Sequence, residues 1–525
     1  MNLGRYISRS ANHFRSSTAL IFEDRKYTYE ELDRRTNRLA QGFFALGLRR
    51  GDRVAIQSWN RPEIVETEVS CYKAGMVRIP INARLSAAEA IEILNNAEVK
   101  AFITDKNHGE AILSHGGSLD TVKQFISLDT LGTPCGKVSP WKINYEDLLT
   151  GSRDDLPDVD VELDDLAVLT YSSGTTGKLK GIMQSYGNRL AMIRKALMFP
   201  EVRLTRGDIF VHVGPITHAS GMLLMPVMFT GACNVIIRRF DVQMLLETIQ
   251  RERANYTMLV PAMIHMILAH PGVRQYDLSS LKGVFYGAAP ISPAVVEQAI
   301  ALFGPILVQG YGMSETTSFV SILTASEHLN ALKHCPDRLS SCGRPVFDTE
   351  VRVVNEEGRD VKTGEIGEII ARGPDIMQGY YKDPELTAET IKNGWIHSSD
   401  MAKVDDEGYI YIVDRKKDMI ISGGFNVYPS EVENVLYTHP AVFEACVVAV
   451  PDEKWGEAIK AVVVLKEGVQ VTAEALIEHC GQHLSSFKKP QSVDFVKELP
   501  KNPNGKIAKR LVKDFYWAGK ERRVN

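Results

Sequence analysis

The sequence predicts an α/β protein built from stacked βαβ sub-domains, with a smaller α+β unit at its C-terminus. Three observations carry that prediction. Short apolar runs alternate with amphipathic helical stretches through the first half of the chain, the pattern of parallel strands joined by helical crossovers. The texture changes after about Asp337 to apolar/polar alternation broken by glycines, as in antiparallel strands. The 525 residues amount to roughly three units of ~150 each, ample for a large core.

In order along the chain, DRVAIQSW reads as a strand and RPEIVETEVSCYKAG as a helix. VRIPIN is a strand, SAAEAIEILNNAE a helix and VKAFITD a strand. The same alternation restarts at NVIIRRF, DVQMLLETIQRERA and YTMLVP, and again at LKGVFYGAAP followed by PAVVEQAIALFG. Two such blocks imply two sub-domains. Beyond the charged run that opens at Asp414, PSEVENVLYTHPAV, EACVVAV, AIKAVVVL and TAEALIEHCGQHL make a unit of domain size. The boundary falls at Asp414–Lys417, giving domains 1–414 and 415–525.

Composition narrows the function. Lys and Arg number 61 against 65 Asp and Glu, a net charge of −4, so no global field recruits nucleic acid. The seven cysteines are scattered without a CxxC pair, which suits free thiols rather than a zinc site or disulfide frame. The uncharged stretch Ile209–Ile237 is long enough to span a bilayer, yet His212, Pro215, His218, Pro226 and Asn234 interrupt it. A buried strand–loop–helix is expected there, with no transmembrane segment. The opening residues lack an apolar signal core, so the expected location is cytoplasmic. The composition leaves a homodimer open.

The sharpest local signal is LTYSSGTTGKLKG, where a strand ends at Tyr171 and runs into hydroxyls, glycines and Lys178 or Lys180. Glycines let backbone N–H groups turn onto an anion while hydroxyls and a lysine complete a phosphate cradle. It is not a Walker A loop, which would need Gly at Ser172 and Ser or Thr at Leu179.

That loop, with motifs following it in order from about Phe22 to Arg510, resembles the AMP-forming acyl- and aryl-CoA synthetases of the adenylate-forming superfamily. The resemblance implies a large N-terminal domain that includes a small β-barrel-like part, and a mobile C-terminal domain. It implies that Ser172, Ser173, Gly174, Thr175, Thr176, Gly177 and Lys180 wrap the β- and γ-phosphates of ATP, with Leu179 replacing the family's usual proline. Gly287, Ala288, Ala289 and Pro290 would lie against adenine. Gln309, Gly310, Tyr311, Gly312 and Ser314 would complete the nucleotide pocket, Tyr311 as a stacking face and Ser314 as an α-phosphate donor. Glu315 offers a hard oxygen for Mg²⁺. Asp400, in HSSD, would accept from the ribose hydroxyls beside Arg415, with Ser399 where the family has glycine. Lys417 matches the hinge. Lys506 matches the adenylation lysine, a cation suited to an anion attacking an anion. His218 matches a histidine at the carboxylate end of the acid pocket, where its expected role is positioning.

For coenzyme A (CoA), the resemblance implies a channel at Gly423–Gly424, aromatic contacts from Trp455 and Phe487, and phosphate contacts from Lys488 and Lys489. The acid itself is read as apolar. No charged side chain lies between Ile209 and Ile237, and seven of the sixteen methionines fall between Met222 and Met266. Flexible thioethers suit a pocket for a bulky acid, with helix core the equal alternative. A medium- or long-chain fatty acid is the first expectation, with aromatic and alicyclic acids behind it. The rivals are a luciferase-like oxygenase, a ligase loading a carrier protein, and an ATP-binding scaffold without turnover.

Overall fold

The computed structural model describes residues 2–129, 143–173, 179–199, 201, 203–422, 425–452, 456–501 and 506–518. Two large sheets carry the N-terminal part. One has eight strands, with Arg53–Ser58, Val77–Asn82, Ala101–Thr104 and Gln124–Ser127 parallel at its centre. The other has nine, with Ile209–His212, Cys233–Ile236, Tyr256–Leu259, Gly283–Gly287 and Leu307–Gly312 parallel. These are the two βαβ blocks expected from the sequence.

Local chemistry explains where the helices begin and end. Ser86 caps Ala87–Asn96 in a reciprocal box with Glu89. Asp241 caps Val242–Glu252 through the Met244 N–H. Pro62 opens Pro62–Ala74, and Gly75 closes it in the left-handed region at φ 65°. Every residue of that helix except Glu63 is buried, because it packs between the sheet and the N-terminal helices.

After Asp337 the chain forms an open antiparallel sheet of five strands, among them Glu350–Val354, Gly367–Arg372 and Trp395–Val404. This is the barrel-like part. Residues beyond Arg415 form their own five-stranded sheet, with Pro429–Thr438 and Ala473–His483 against it and cores drawn only from this segment. Asp414 reaches across: its carboxylate accepts from the Ser430 N–H at 2.8 Å and lies 3.8 Å from Lys509.

Ile209–Ile237 is the expected buried strand, turn and short helix, and among the described residues no helix is long and apolar enough to cross a membrane. The six described cysteines are free thiols; Cys135 lies outside the described residues. Met225 and Met228 are core residues against the N-terminal helices, Met263 is core in a second cluster, and Met244 and Met266 face solvent. The methionine concentration therefore has no single cause, and core packing accounts for much of it.

Candidate active site

Motif residues collect where strands of both sheets end, the position that open α/β sheets reserve for ligands. The strand Leu166–Ser173 runs two residues past Tyr171 and turns back into Leu179–Ser185. Ser172 pairs opposite Lys180 and Ser173 opposite Leu179, so the ends of the predicted phosphate loop lie on two paired antiparallel strands. Gly174, Thr175, Thr176, Gly177 and Lys178 lie outside the described residues.

Across from the hairpin, Gly283–Gly287 and Leu307–Gly312 end side by side, which brings Gly287, Ala288, Ala289 and Pro290 next to Gln309, Gly310 and Tyr311. Gly287 is required there: a Cβ would sit 2.2 Å from the Gly310 carbonyl oxygen. Ala288 follows at φ 67°, Thr317 closes the Ser314–Thr316 turn at φ 57°, and Ser399 precedes Asp400 at φ 60°. Non-glycine residues in the left-handed region at three loops of one site mark stored backbone strain.

Asp400 is the hub. It is buried, accepts from Tyr311 Oη at 2.7 Å and from Arg415 Nε at 3.1 Å, and its backbone N–H donates to Ser398 Oγ at 3.0 Å. The Ser399 N–H donates to Glu368 at 3.0 Å, which holds the strained peptide in place of the family's glycine. Burial works against the Arg415 cation, but Asp400, Asp418, Tyr311 and Glu315 outweigh it and hold its pKa above the ordinary value.

Lys506 reaches this centre from the small C-terminal unit. Burial, then the charge of Arg415, lower its pKa, while Asp400 opposes them. Lys417 stands on the turn Lys416–Asp418, with its pKa lowered by burial and by the neighbouring charges of Arg415 and Lys180. Arg415, Lys417 and Lys506 thus lie within electrostatic reach of buried Asp400, and Lys180 within reach of Lys417, a gathering of cations suited to a polyanion.

His218 lies within electrostatic reach of Lys506. Burial first, then the charge of Lys506, push its pKa down to about 4, so the imidazole is neutral beside the lysine. Its turn is held by the His218 N–H to Pro215 O at 3.0 Å and by Gly221, where a Cβ would fall 2.0 Å from the Ile216 carbonyl oxygen. Asn60 anchors the same loop, donating to Gly214 O at 2.8 Å and accepting from the Ile216 N–H at 3.0 Å. His212, by contrast, is a satisfied core histidine between Ser220 O and Asn234.

Ser314 and Glu315 lie on a turn that follows the nine-stranded sheet and is gripped by residues of the eight-stranded one and the segment leading into it. Gln184 Nε2 donates to Ser314 O at 2.9 Å, the Met377 N–H donates to Glu315 O at 2.8 Å, and Tyr380 Oη donates to Glu315 Oε1 at 3.0 Å. Asn60, Gln184 and Tyr380 escaped sequence reasoning because each acts on a segment more than 60 residues away, and no local pattern marks them.

Of the residues assigned to CoA, Phe487, Lys488 and Lys489 are described. Phe487 is stacked on Phe425 at 4.8 Å between centroids, and Phe425 was not anticipated. Lys488 is paired with Glu431 at 2.9 Å, and Lys489 is exposed. Gly423, Gly424 and Trp455 lie outside the described residues.

Comparison with known proteins agrees with this architecture. The family model "AMP-binding enzyme" matches residues 7–381, and "AMP-binding enzyme C-terminal domain" matches residues 431–506. A feruloyl-CoA synthase of an Amycolatopsis species is 37% identical over 97% of this chain and 98% of its own. A medium/long-chain-fatty-acid–CoA ligase of Mycobacterium tuberculosis is 34% identical over 99% of this chain and 91% of its own. The o-succinylbenzoate CoA synthetase of Bacillus subtilis, solved with its acyl-adenylate intermediate, superposes with a TM-score of 0.84 at 28% identity, covering 97% of this chain and 98% of that one. The chain belongs to the AMP-forming acyl-CoA synthetases of the adenylate-forming superfamily. It is an acid–thiol ligase, and its use of ATP and CoA follows from that membership.

Proposed function

We propose that the protein activates an apolar carboxylic acid, an aromatic acid or a medium- to long-chain fatty acid, with Mg²⁺-ATP and passes the acyl group to CoA. The observation that carries this reading is the gathering of Arg415, Lys417 and Lys506 around Asp400, with Lys180 near Lys417 and Lys506 also near neutral His218. The polyanion end and the acid end of one site are thereby linked by a single cation.

In the first half-reaction the acid's carboxylate oxygen attacks the α-phosphorus and pyrophosphate leaves. Tyr311 supplies a face for adenine, Asp400 and Arg415 hold the ribose, and Ser172, Ser173 and Lys180, with residues 174–177, receive the outer phosphates. Ser314 donates to the α-phosphate. Lys506 orients and neutralises two anions that would otherwise repel. His218, uncharged, positions the carboxylate and need not remove a proton, since the acid arrives ionised. Glu315, half-buried with one oxygen bonded by Tyr380, fits Mg²⁺, which would neutralise phosphate charge.

In the second half-reaction the CoA thiol attacks the acyl carbon and AMP leaves. The domain 415–525 would turn about Lys417 between the two, withdrawing Lys506 and bringing Gly423–Gly424, Trp455, Phe487, Lys488 and Lys489 to the adenylate. Such alternation keeps water from a labile anhydride. The acid pocket is read as apolar because no charged residue lies in Ile209–Ile237, and half-buried Phe285 lies on Phe210 at 6.1 Å.

The test is pyrophosphate and AMP release over hydroxycinnamic, arylacetic, fatty and amino acids, with and without CoA, alongside Lys506→Ala. Turnover that needs CoA, with first-step loss of about 100-fold or more in the variant and retained thiolysis of supplied acyl-AMP, is the expected result. CoA-independent pyrophosphate release would point to a carrier protein as acceptor. Bound ATP without turnover on any acid would contradict the reading.

A further inference from the structure

We propose that Tyr380 is a two-ended positioning residue, its hydroxyl fixing Glu315 and its ring supporting Lys180. This rests on the reading of Glu315 as the metal-facing carboxylate and Lys180 as a phosphate cation.

Tyr380 lies on the short strand Gly379–Tyr380, paired antiparallel with Ile182 of the strand that starts at Leu179–Lys180. Its hydroxyl donates to Glu315 Oε1 at 3.0 Å, and Lys180 Nζ lies 5.4 Å from its ring centroid. The backbone beside it grips Glu315 and the residue that follows Lys180. The Met377 N–H donates to Glu315 O at 2.8 Å and the Tyr381 N–H to Gly181 O at 2.7 Å. The Tyr380 N–H in turn donates to Thr387 Oγ1 at 2.8 Å.

Each end has a physical job. A carboxylate with one oxygen pinned keeps a single orientation and offers the other to a hard cation, and such outer partners govern metal affinity. Lys180 must stand near Lys417, a repulsive placement. An aromatic face attracts the ammonium without adding an anion that would compete with phosphate. A phenol is protonated at neutral pH, so the hydroxyl donates to the Glu315 carboxylate. The bland alternative is a core tyrosine, since Tyr380 also packs with Ile182, Met377 and Ile396.

Mn²⁺ binding to the full-length protein with α,β-methylene-ATP, followed by electron paramagnetic resonance, separates the two. Calorimetry of the same analogue without metal reads the nucleotide alone. Tyr380→Phe keeps the ring and is expected to weaken Mn²⁺ about tenfold while leaving metal-free binding within about twofold. Tyr380→Leu should lose both, with metal-free binding weaker by about threefold. Wild-type Mn²⁺ affinity in Tyr380→Phe, with loss in Glu315→Gln, would overturn the proposal and leave the metal reading intact. Unchanged Mn²⁺ affinity in Glu315→Gln would overturn the metal reading itself. Metal-free binding unchanged in Tyr380→Leu would overturn the ring's role, and should that variant fail to fold, Tyr380→Met reads the same end.

Discussion

At Ser399 a side chain occupies backbone space that glycine enters freely. Its φ of 60° costs an L-residue about 1 kcal/mol, and the peptide is kept there by Glu368 on one side and by Ser398 and Asp400 on the other. Ser399→Gly should therefore raise the thermal midpoint while leaving the KM for ATP within about twofold, because the contacts of Asp400 with Tyr311 and Arg415 do not involve the Ser399 side chain. A lowered midpoint would show that the hydroxyl or the chain stiffness of serine matters more than the strain. Asp400 itself was readable from its motif. Its bond to Tyr311, 89 residues earlier, was not.

The element that most determines the site's shape is the segment from Pro374 to Tyr381. Asn188 Nδ2 donates to Pro374 O and Ile376 O, both at 2.8 Å, and Gln378 N donates to Met183 O at 2.9 Å, so the helix and hairpin of one sheet are tied to the turn of the other. Beneath it lies a buried ion pair, Lys195 to Asp375 at 2.5 Å, with Ser318, Thr349 and the Phe319 carbonyl filling the remaining bonds. Burial lowers the Lys195 pKa against the pull of Asp375. Removing one member strands the other's charge in the core. Lys195→Met should cost about 3–5 kcal/mol in chemical denaturation, and Lys195→Met/Asp375→Leu should recover most of it. Equal losses in the single and double variants would mean that packing, not charge, is what the pair supplies. Gln-Gly-Tyr-Tyr looks like any loop in sequence, since the bonds that give it meaning span 65 to 283 residues.

For the molecule as a whole, three buried histidines set the acid side of stability. Burial pushes His212, His218 and His328 down to about 4, from an ordinary value near 6.5. The unfolded chain therefore binds protons that the folded one refuses, so stability is complete above about pH 6.5 and is lost as the pH falls toward 4. The loss should approach roughly 1.4 kcal/mol per histidine per pH unit across that window. Thermal midpoints at pH 7.5, 6 and 5 should fall in that order. A level series would mean that these histidines are solvated. For the same reason His218 should contribute no inflection to activity between pH 5 and 8, in keeping with a positioning role.

The sequence by itself determined the alternation of strands and helices, the caps at Ser86 and Asp241, the change of texture after Asp337 and the order of the nucleotide motifs. All of these are local, set by side-chain periodicity and by hydrogen bonds spanning a few residues. Tertiary structure alone decided the rest. The strand Thr18–Phe22 joins the nine-stranded sheet beside Cys233–Ile236, more than 200 residues away, and Lys506 leaves an ordinary basic stretch to face Asp400 and His218. Contacts of that span leave no period in the chain. They arise when apolar faces bury one another and every buried polar group must find a partner, conditions that only the assembled fold can satisfy.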